Sequence, residues 1–248
     1  MESASVGCAV VFGSYEQDFD QTNGDEALEW IVLDRRDDKV LLLSRYGLDV
    51  MQYHDRAYVD VTWENSFVRE WLHQKFYAKA FSTKERKMIV KTVNKNGDGA
   101  IADTTEDYVF LLSAEEVLNG KAWDGTPYFE SAAARITIPT AEDAYSCWLY
   151  RNDEYSEWVG ITTEWWLRTA GNAGMYADVV TKSGMFCLAK EQITLRRYPF
   201  ALQFGWICPC WKSKEITSKS ITKGASHLHF VTCKCEVLYS ALYQAFGE

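Results

Sequence analysis

The sequence predicts an α+β domain with a mainly antiparallel sheet and two to four short helices. Three observations predict this class. Strand-like apolar runs fill the first sixty residues, segments with helical spacing follow, and strand-like runs separated by glycines return from Trp165 to Phe204. The strict alternation of strand and helix that builds a parallel doubly wound sheet is missing. A chain of 248 residues is also long enough to bury a large core.

The N-terminal region predicts a β-hairpin. A short apolar run begins at Cys8, and the stretch LEWIVLDRRDDKVLLLSRYGLDV contains two more. Four charged residues separate these two runs, from Arg35 to Asp38. Two apolar runs joined by a short polar turn are typical of a hairpin.

The middle of the chain changes to helical spacing. A helix is predicted to open near Thr62, and a further short helix is predicted in AEDAYSCWLY after Thr140. The first of these has an apolar stripe with steps of three, one, four and four residues. The stripe consists of Val68, Trp71, Leu72, Phe76 and Ala80.

Two capping boxes predict where other helices begin. In such a box a Ser side chain and a Glu three residues later each accept a hydrogen bond from the other's backbone N–H. Ser82 with Glu85 predicts a helix that ends before the turn-rich NKNGDG. Ser113 with Glu116 predicts a short helix after the buried strand DYVFLLS, with Gly120 as its C-cap.

Charge and composition restrict the partners. The net charge of -9 argues against a nucleic acid or an anionic membrane held by charge alone, although a local basic patch stays open. The chain has 10 Trp, 14 Tyr and 12 Phe, which favours a broad core with some aromatic side chains left for binding. The N-terminal apolar run is too short for a signal peptide or a membrane span, so we expect a cytoplasmic protein.

Metal sites are weakly indicated. The seven cysteines are scattered, which predicts reduced thiols, and one intervening residue within each Cys pair makes a poor Zn chelate. These weak Zn candidates are Cys208, Cys210, Cys233 and Cys235, with His227 and His229 nearby. We therefore expect no metal and no cofactor.

The stretch NKNGDGAIADTTE imitates the start of a calcium-binding loop. Asn94, Asn96, Asp98 and Gly99 occupy its first, third, fifth and sixth positions. Thr105 stands at the twelfth position, where a bidentate Glu is needed. A polar loop between a helix and a strand explains these residues without an ion.

No assembled catalytic motif is visible. The sequence lacks a Gly-x-Ser-x-Gly elbow, a phosphate-binding Gly loop and a dinucleotide fingerprint. His54 and His73 are the histidines before the C-terminal region, and His73 is expected at a surface or half-buried helix position. Carboxylate pairs such as Glu115 with Glu116 and Asp153 with Glu154 are expected to be solvated.

Several segments together resemble a family of bacterial and phage domains of unknown function. The matching segments are FGSYEQ, LEWIVLD, LLLSRYGLD, TWENSFVREWLHQKF, AFSTKER, DYVFLLSAEEV, WWLRTAG and, in altered form, RRYPFAL. The resemblance covers about residues 6–204. It implies one domain over residues 1–205, followed by an extension over residues 206–248.

The last of these segments also resemble the end of C-type-lectin-like folds. The common features are a tryptophan strand with an Arg, a Gly-rich hairpin and a closing Arg-Pro strand, as in the formylglycine-generating-enzyme type. The chain departs from this pattern where Tyr198 separates Arg197 from Pro199. The resemblance implies a C-type-lectin-like fold and no particular activity. Formylglycine-type chemistry is not implied, because Cys187 is isolated.

Loops rich in Trp and Tyr are the predicted binding surface. They span about residues 121–130, 150–163 and 170–178, and loops on a rigid scaffold are a common place for binding. The candidate contact residues are Trp123, Asp124, Tyr128, Tyr155, Trp158, Asn172, Tyr176 and Asp178. The alternative, which the sequence leaves open, is that these aromatic side chains fold back and cover the sheet.

The segment TTEWWLRTAG has the appearance of an active site but is interpreted as structure. Alternating side chains place Trp165 and Leu167 on one face of a strand and Trp166 and Arg168 on the other. Both faces are then covered. Arg168 is expected to lie beside the Trp166 ring or to bind a nearby carboxylate or carbonyl.

These observations favour a binding or protein-interaction module without catalytic activity, whose partner is a protein or a glycan. Two alternatives stay open. One is a hydrolase with a dispersed carboxylate site, which would need two carboxyls converging on one cleft. The other is a structural domain of a phage or mobile-element particle, which would bury a large apolar patch against a neighbour.

Overall fold

The computed structural model describes residues 5–17, 20–56, 59–97, 100–140, 162–171, 176–187, 198–199 and 203–207. Its strands are β1 (Ala9–Tyr15), β2 (Glu26–Arg36), β3 (Lys39–Ser44), β4 (Val50–Met51), β5 (Thr92–Lys95), β6 (Thr104–Asp107), β7 (Val109–Phe110), β8 (Trp165–Ala170), β9 (Ala177–Val180), β10 (Phe186–Cys187), β11 (Tyr198–Pro199) and β12 (Gln203–Ile207). Its α-helices are α1 (Phe67–Trp71), α2 (Tyr77–Ala80), α3 (Thr83–Arg86) and α4 (Ala114–Asn119). Single 3-10 turns cover Trp63–Asn65 and Ala133–Arg135, and a π-helical segment covers Leu72–Phe76.

The largest sheet has the strand order β1-β2-β3-β12-β7, and each neighbouring pair is antiparallel. The predicted hairpin of β2 and β3 is confirmed, with Arg36 opposite Lys39 at its end. Asp37 in the turn has φ of 47°, a left-handed conformation that Asp tolerates better than most residues. Strand β12 comes late in the chain and lies between β3 and β7. It therefore connects the N-terminal strands β1, β2 and β3 to β7.

Three smaller antiparallel sheets complete the described fold. Strands β8, β9 and β10 form one, β4 pairs with β11, and β5 pairs with β6. The predicted class is therefore confirmed at the level of a mixed α and β fold with mostly antiparallel sheets and short helices. Strand β12 ends at Ile207, two residues beyond the domain boundary expected at residue 205.

The predicted helix near Thr62 starts later than expected. Thr62 instead precedes a 3-10 turn and forms a capping box with Asn65. The α-helix begins at Phe67, because the Ser66 side chain accepts a hydrogen bond from the Arg69 backbone N–H. The predicted stripe is buried at Val68, Leu72, Phe76 and Ala80, while Trp71 is half-buried.

Both predicted capping boxes are confirmed. Ser82 caps α3 together with Glu85, and Ser113 caps α4 together with Glu116. Gly120 is the C-cap of α4, as predicted, and its N–H donates to the Glu116 carbonyl. Its φ of -59° shows that glycine is needed here for space and not for a left-handed backbone.

The polar loop predicted over residues 94–106 is shorter than expected, because its two ends belong to strands β5 and β6 of a β-hairpin. Helix α3 has only four residues, and β5 and β6 then pair from Thr92–Asp107 to Lys95–Thr104. Asn and Thr side chains that bond to nearby polar groups compete with helix formation. In this hairpin Asn94 and Thr105 bond inward, so the polar residues stabilise strands.

Four tryptophans form the centre of the core, and each is at most 1% exposed: Trp30, Trp63, Trp165 and Trp166. Each indole N–H finds an acceptor, which removes the cost of burying a polar group. The acceptors are the carbonyls of Phe12, Arg135 and Met51 and the carboxylate of Asp107. The core therefore connects the large sheet to β8 and to the helical segment.

Several expectations lie outside the described residues. They are the helix after Thr140, most of the 150–163 loop, and the extension with its cysteine pairs. Among the helices that the structure describes, none combines the length and the apolar character that crossing a membrane requires.

Candidate functional site

The buried Arg168 is fully engaged by the protein itself. Its guanidinium contacts the Glu116 carboxylate in a bidentate pair, with N–O distances of 2.6 and 2.8 Å. It also donates to the Leu111 carbonyl at 2.7 Å and to the Lys95 carbonyl at 3.1 and 3.0 Å. An arginine has five N–H donors, and here all five are used. No donor is left for a substrate.

The surroundings of Arg168 confirm that it binds a carboxylate and carbonyls, and they correct two other details of the sequence interpretation. The aromatic ring beneath the guanidinium is Phe110, at 5.6 Å, and the Trp166 indole instead contacts Tyr53 edge to face. The Glu116 carboxylate is not simply solvated, because it caps α4 and binds Arg168 at the same time. Glu115 on the same helix accepts a bond from Asn119 and is exposed, as its position predicts.

The 121–130 segment forms a tight turn that carries an exposed tryptophan. Lys121 and Pro127 form an isolated antiparallel bridge, and the Ala122 N–H donates to the Thr126 carbonyl at 2.8 Å. Gly125 has φ of 88°, which closes the turn in a conformation that favours glycine. Trp123 is 79% exposed, the largest fraction among the exposed large apolar side chains of the described residues.

A buried carboxylate anchors this turn. Asp34 on β2 is fully buried and accepts the Trp123 backbone N–H at 2.7 Å. The same carboxylate accepts the Arg35 N–H at 2.7 Å and the Arg36 side chain at 2.9 Å. The backbone of Trp123 is thereby fixed to the central sheet, while its indole extends away from the core.

Two further predicted contact residues lie on the same turn. Asp124 is exposed, and hydrogen bonds from Thr126 lower the pKa of its carboxyl. Tyr128 is half-buried against the core, and burial and the charges of Asp34 and Glu116 raise its pKa. Tyr128 therefore supports the turn as much as it offers a contact surface.

Of the five other predicted contact residues, the structure describes two. Asp178 is buried on β9, so it lies below the surface on which the sequence interpretation placed it. Tyr176 is half-buried, and its carbonyl accepts the Gly171 N–H. Tyr155, Trp158 and Asn172 are outside the described residues.

A second polar cluster, which we call the Asp107 cluster, was not identified from the sequence. Asp107 is fully buried and accepts hydrogen bonds from Trp63 at 3.0 Å, Arg69 at 2.7 Å and Asn94 at 3.0 Å. Further contacts to its carboxylate come from Thr105 at 2.7 Å and from His73 at 3.2 Å. The spacing of Arg69 and His73, four residues apart on a helix, was a usable signal, but no pattern indicated the strand that meets them.

The electrostatics of Asp107 follow from these contacts. Burial alone would raise the pKa of its carboxyl, but hydrogen bonds from His73, Trp63, Asn94 and Thr105 outweigh burial. The pKa is therefore held well below its ordinary value, and Asp107 carries a negative charge that Arg69 balances.

A polar pocket of about 340 Å³ lies over this cluster. Its lining consists of polar side chains from the 3-10 turn and the helical segment that follows, including Glu64, Asn65, Glu70, His73 and Gln74. The pocket brings two carboxylates, the Arg69 guanidinium and an imidazole to one place. No apolar residue lines it, so it suits a small polar ligand.

The residues of the calcium-like stretch serve the hairpin. Asn94 and Asn96 are buried, and Asn96 donates to the Ala102 carbonyl at 3.0 Å. Thr105 lies 3.1 Å from the Asn96 side-chain oxygen. Asp98 and Gly99 are outside the described residues, and within the described ones no three His, Cys, Asp or Glu side chains converge as metal ligands.

Comparison with known proteins gives one match. The model of a family described as "Domain of unknown function (DUF6273)" matches residues 37–195, which is more than half of the chain. No curated protein and no solved structure matches.

Proposed function

The chain belongs to the DUF6273 family of domains of unknown function, and from this premise we propose that it is a binding module that recognises a protein or a glycan through aromatic loops. The observation that carries the proposal is the Trp123 turn. Neither a nucleic acid nor a membrane is the proposed partner, since the net charge is -9.

The energetics of the turn support this proposal. An indole that is 79% exposed keeps most of its apolar surface in water, and a partner that covers it gains the free energy of burial. The backbone of Trp123 is already fixed by Asp34, so little conformational entropy is lost on binding. Rigid aromatic side chains on loops are efficient contact residues for this reason.

We also propose that the fold is C-type-lectin-like. Support comes from the order of a Trp-Arg strand β8, an antiparallel hairpin of β9 and β10, and a late strand β12 that inserts into the main sheet. An experimental structure of the full chain tests this directly. A superposition that matches these strands to a C-type lectin in the same order would support it, and a different strand order would exclude it.

A ligand screen tests the binding function. The purified full chain is applied to a glycan array and to a displayed random-peptide library, and Trp123→Ala is screened in parallel. The matched control is Val93→Ala, which removes another exposed apolar side chain, 63% exposed, from the β5 and β6 hairpin. We expect the wild type and Val93→Ala to retain the same ligands and Trp123→Ala to lose at least about tenfold in affinity, a free-energy change of about 1.4 kcal/mol.

The other outcomes of this screen decide against the proposal. If Trp123→Ala keeps every ligand at wild-type affinity, the turn is not the binding site. If the chain cleaves the glycans that it binds, the hydrolase alternative replaces the binding module. If the chain binds only copies of itself and assembles, the particle alternative replaces it.

A further inference from the structure

His73 has a defined tautomer because of what surrounds its Nε2 atom. Asp107 Oδ1 and the Val109 carbonyl oxygen both lie 3.2 Å from Nε2. Both neighbours are acceptors, so Nε2 must carry the proton. In the neutral ring Nδ1 then has a free lone pair, and it makes no hydrogen bond within the described residues.

The helix geometry places this histidine beside the pocket. His73 lies in the π-helical segment Leu72–Phe76, which is wider than an α-helix and turns the side chains relative to the preceding turn. Arg69 and His73 are four residues apart, so they lie on one side of the helical segment, and both reach Asp107, while His73 also lines the pocket. The His73 side chain is 26% exposed, and within the described residues its hydrogen-bond contacts are made through Nε2.

The charges of the pocket favour a cationic ligand. Arg69 is neutralised by Asp107, and two further donors of its guanidinium bind the Glu64 and Glu106 carbonyls. The Glu64 and Glu70 carboxylates have no ion-pair partner among the described residues. Glu64 uses Oε1 to accept the Ala102 N–H, while its Oε2 is buried without a hydrogen-bond partner there. A buried carboxylate oxygen without a donor costs free energy, and a ligand recovers it when the Glu64 side chain turns this oxygen toward the pocket.

We propose that this pocket is a separate binding site for a small hydroxylated amine. The ammonium group pairs with the carboxylates of Glu64 and Glu70, and a hydroxyl donates to Nδ1 of His73. Asp107 acts as a positioning residue, because it holds the imidazole in the tautomer that accepts this hydroxyl. The site is independent of the Trp123 turn, and neither proposal depends on the other.

The tautomer is tested without any ligand. Long-range nitrogen–proton correlation spectra of the full chain, labelled with nitrogen-15, distinguish the protonated nitrogen of His73. We expect the pattern of a ring protonated at Nε2, and the spectrum of Asp107→Asn should change at His73. A ring protonated at Nδ1 in the wild type would overturn the proposal.

The ligand class is tested with two sugars that differ at one group. D-glucosamine and D-glucose are titrated separately into the same labelled protein, and the His73 ring shifts are followed. We expect saturable shifts with D-glucosamine and at least about tenfold weaker binding of D-glucose, because only the amine pairs with carboxylates.

Two variants identify the carboxylate. Glu64→Gln should weaken D-glucosamine binding by about tenfold or more. Glu106→Gln is the control, since this carboxylate is 63% exposed and pairs with Lys91 outside the pocket lining. Absence of saturable shifts, equal binding of both sugars, or equal effects of the two variants would each overturn the proposed site.

Discussion

Two ion pairs, each with one fully buried and one partly exposed partner, hold the polar interior of the domain. Asp107 with Arg69 connects the β5 and β6 hairpin to helix α1, and Arg168 with Glu116 connects β8 to α4. A buried ion pair is costly to form and more costly to break, because removing one partner leaves an unpaired charge in the interior. Single substitutions at these residues therefore test whether the two ion pairs stabilise the folded domain.

Asp107→Asn should destabilise the domain by about 3 kcal/mol, because it leaves the Arg69 charge without a counter-ion. The free energy of unfolding in urea measures this. The folded-state pKa of Asp107 is depressed, so its stabilisation is fully present above about pH 4 and is lost as pH falls through the folded pKa. The variant should lose less stability than the wild type over that acidic range.

If the wild type and Asp107→Asn lose stability in parallel as the pH falls, the carboxyl does not have a depressed pKa in the folded protein.

Arg168→Lys should lower the free energy of unfolding by about 2–4 kcal/mol, because an ammonium group cannot replace the five donors of the planar guanidinium. The control is Arg45→Lys, because Arg45 pairs with Glu29 at the surface, where the two side chains are 34% and 40% exposed. A surface pair contributes about 0–1 kcal/mol, so this control should unfold almost like the wild type. Equal losses in urea would show that Arg168 is not the core anchor described above.

At the level of the elements, the C-terminal end of α4 packs closely against the Trp123 turn. A Cβ on Gly120 would lie 2.3 Å from the Glu116 carbonyl oxygen and 2.4 Å from the Tyr128 ring. Gly120→Ala should therefore destabilise the domain by about 1–3 kcal/mol, through forced movement of the Trp123 turn. Urea unfolding again provides the measurement.

Gly24→Ala separates lack of space from backbone strain. Gly24 has φ of 86°, but nothing lies within 4 Å of the added Cβ. Its substitution should cost only about 1 kcal/mol, from the left-handed conformation alone. If Gly24→Ala lowers the free energy of unfolding more than Gly120→Ala does, the packing of Tyr128 on Gly120 is looser than described.

Elements that depend on local chemistry were predictable from the sequence. The β2 and β3 hairpin and the capping boxes at Ser82 and Ser113 involve residues no more than a few positions apart. The β5 and β6 hairpin was missed because its stability comes from a distant contact, the bonds that Trp63 and Arg69 make to Asp107. A pattern within NKNGDG carries no information about those partners.

For the site, the sequence indicated the exposed Trp123 but not what anchors it. Asp34 appeared only as the end of a strand before a polar turn, yet it accepts a backbone N–H from a residue 89 positions later. His73 was expected at a surface or half-buried helix position, and it is 26% exposed, but its buried partner Asp107 lies 34 residues further on. Periodicity and spacing within the sequence do not reveal hydrogen bonds between residues that are far apart in the chain.

Across the described fold, buried charged side chains connect sheets that do not pair with one another through backbone hydrogen bonds. Arg168 on β8 binds backbone on β5 and a carboxylate on α4, and Asp34 on the main sheet holds the Trp123 turn. The tryptophans on β8 belong to this framework, because Trp165 and Trp166 are buried. The Trp123 side chain is exposed, in contrast to these buried tryptophans, and the binding proposal rests on this difference in exposure.

Oxidation of the indoles by N-bromosuccinimide, followed by mass spectrometry of peptides, compares the exposure of Trp123 with that of the framework tryptophans. Among the described tryptophans, Trp123 should react at least about tenfold faster than Trp166, whose oxidation needs local unfolding. A ligand recovered from the array should then protect Trp123 and leave the other rates unchanged. Reaction of Trp123 no faster than Trp166, or undiminished reaction with the ligand bound, would contradict the account.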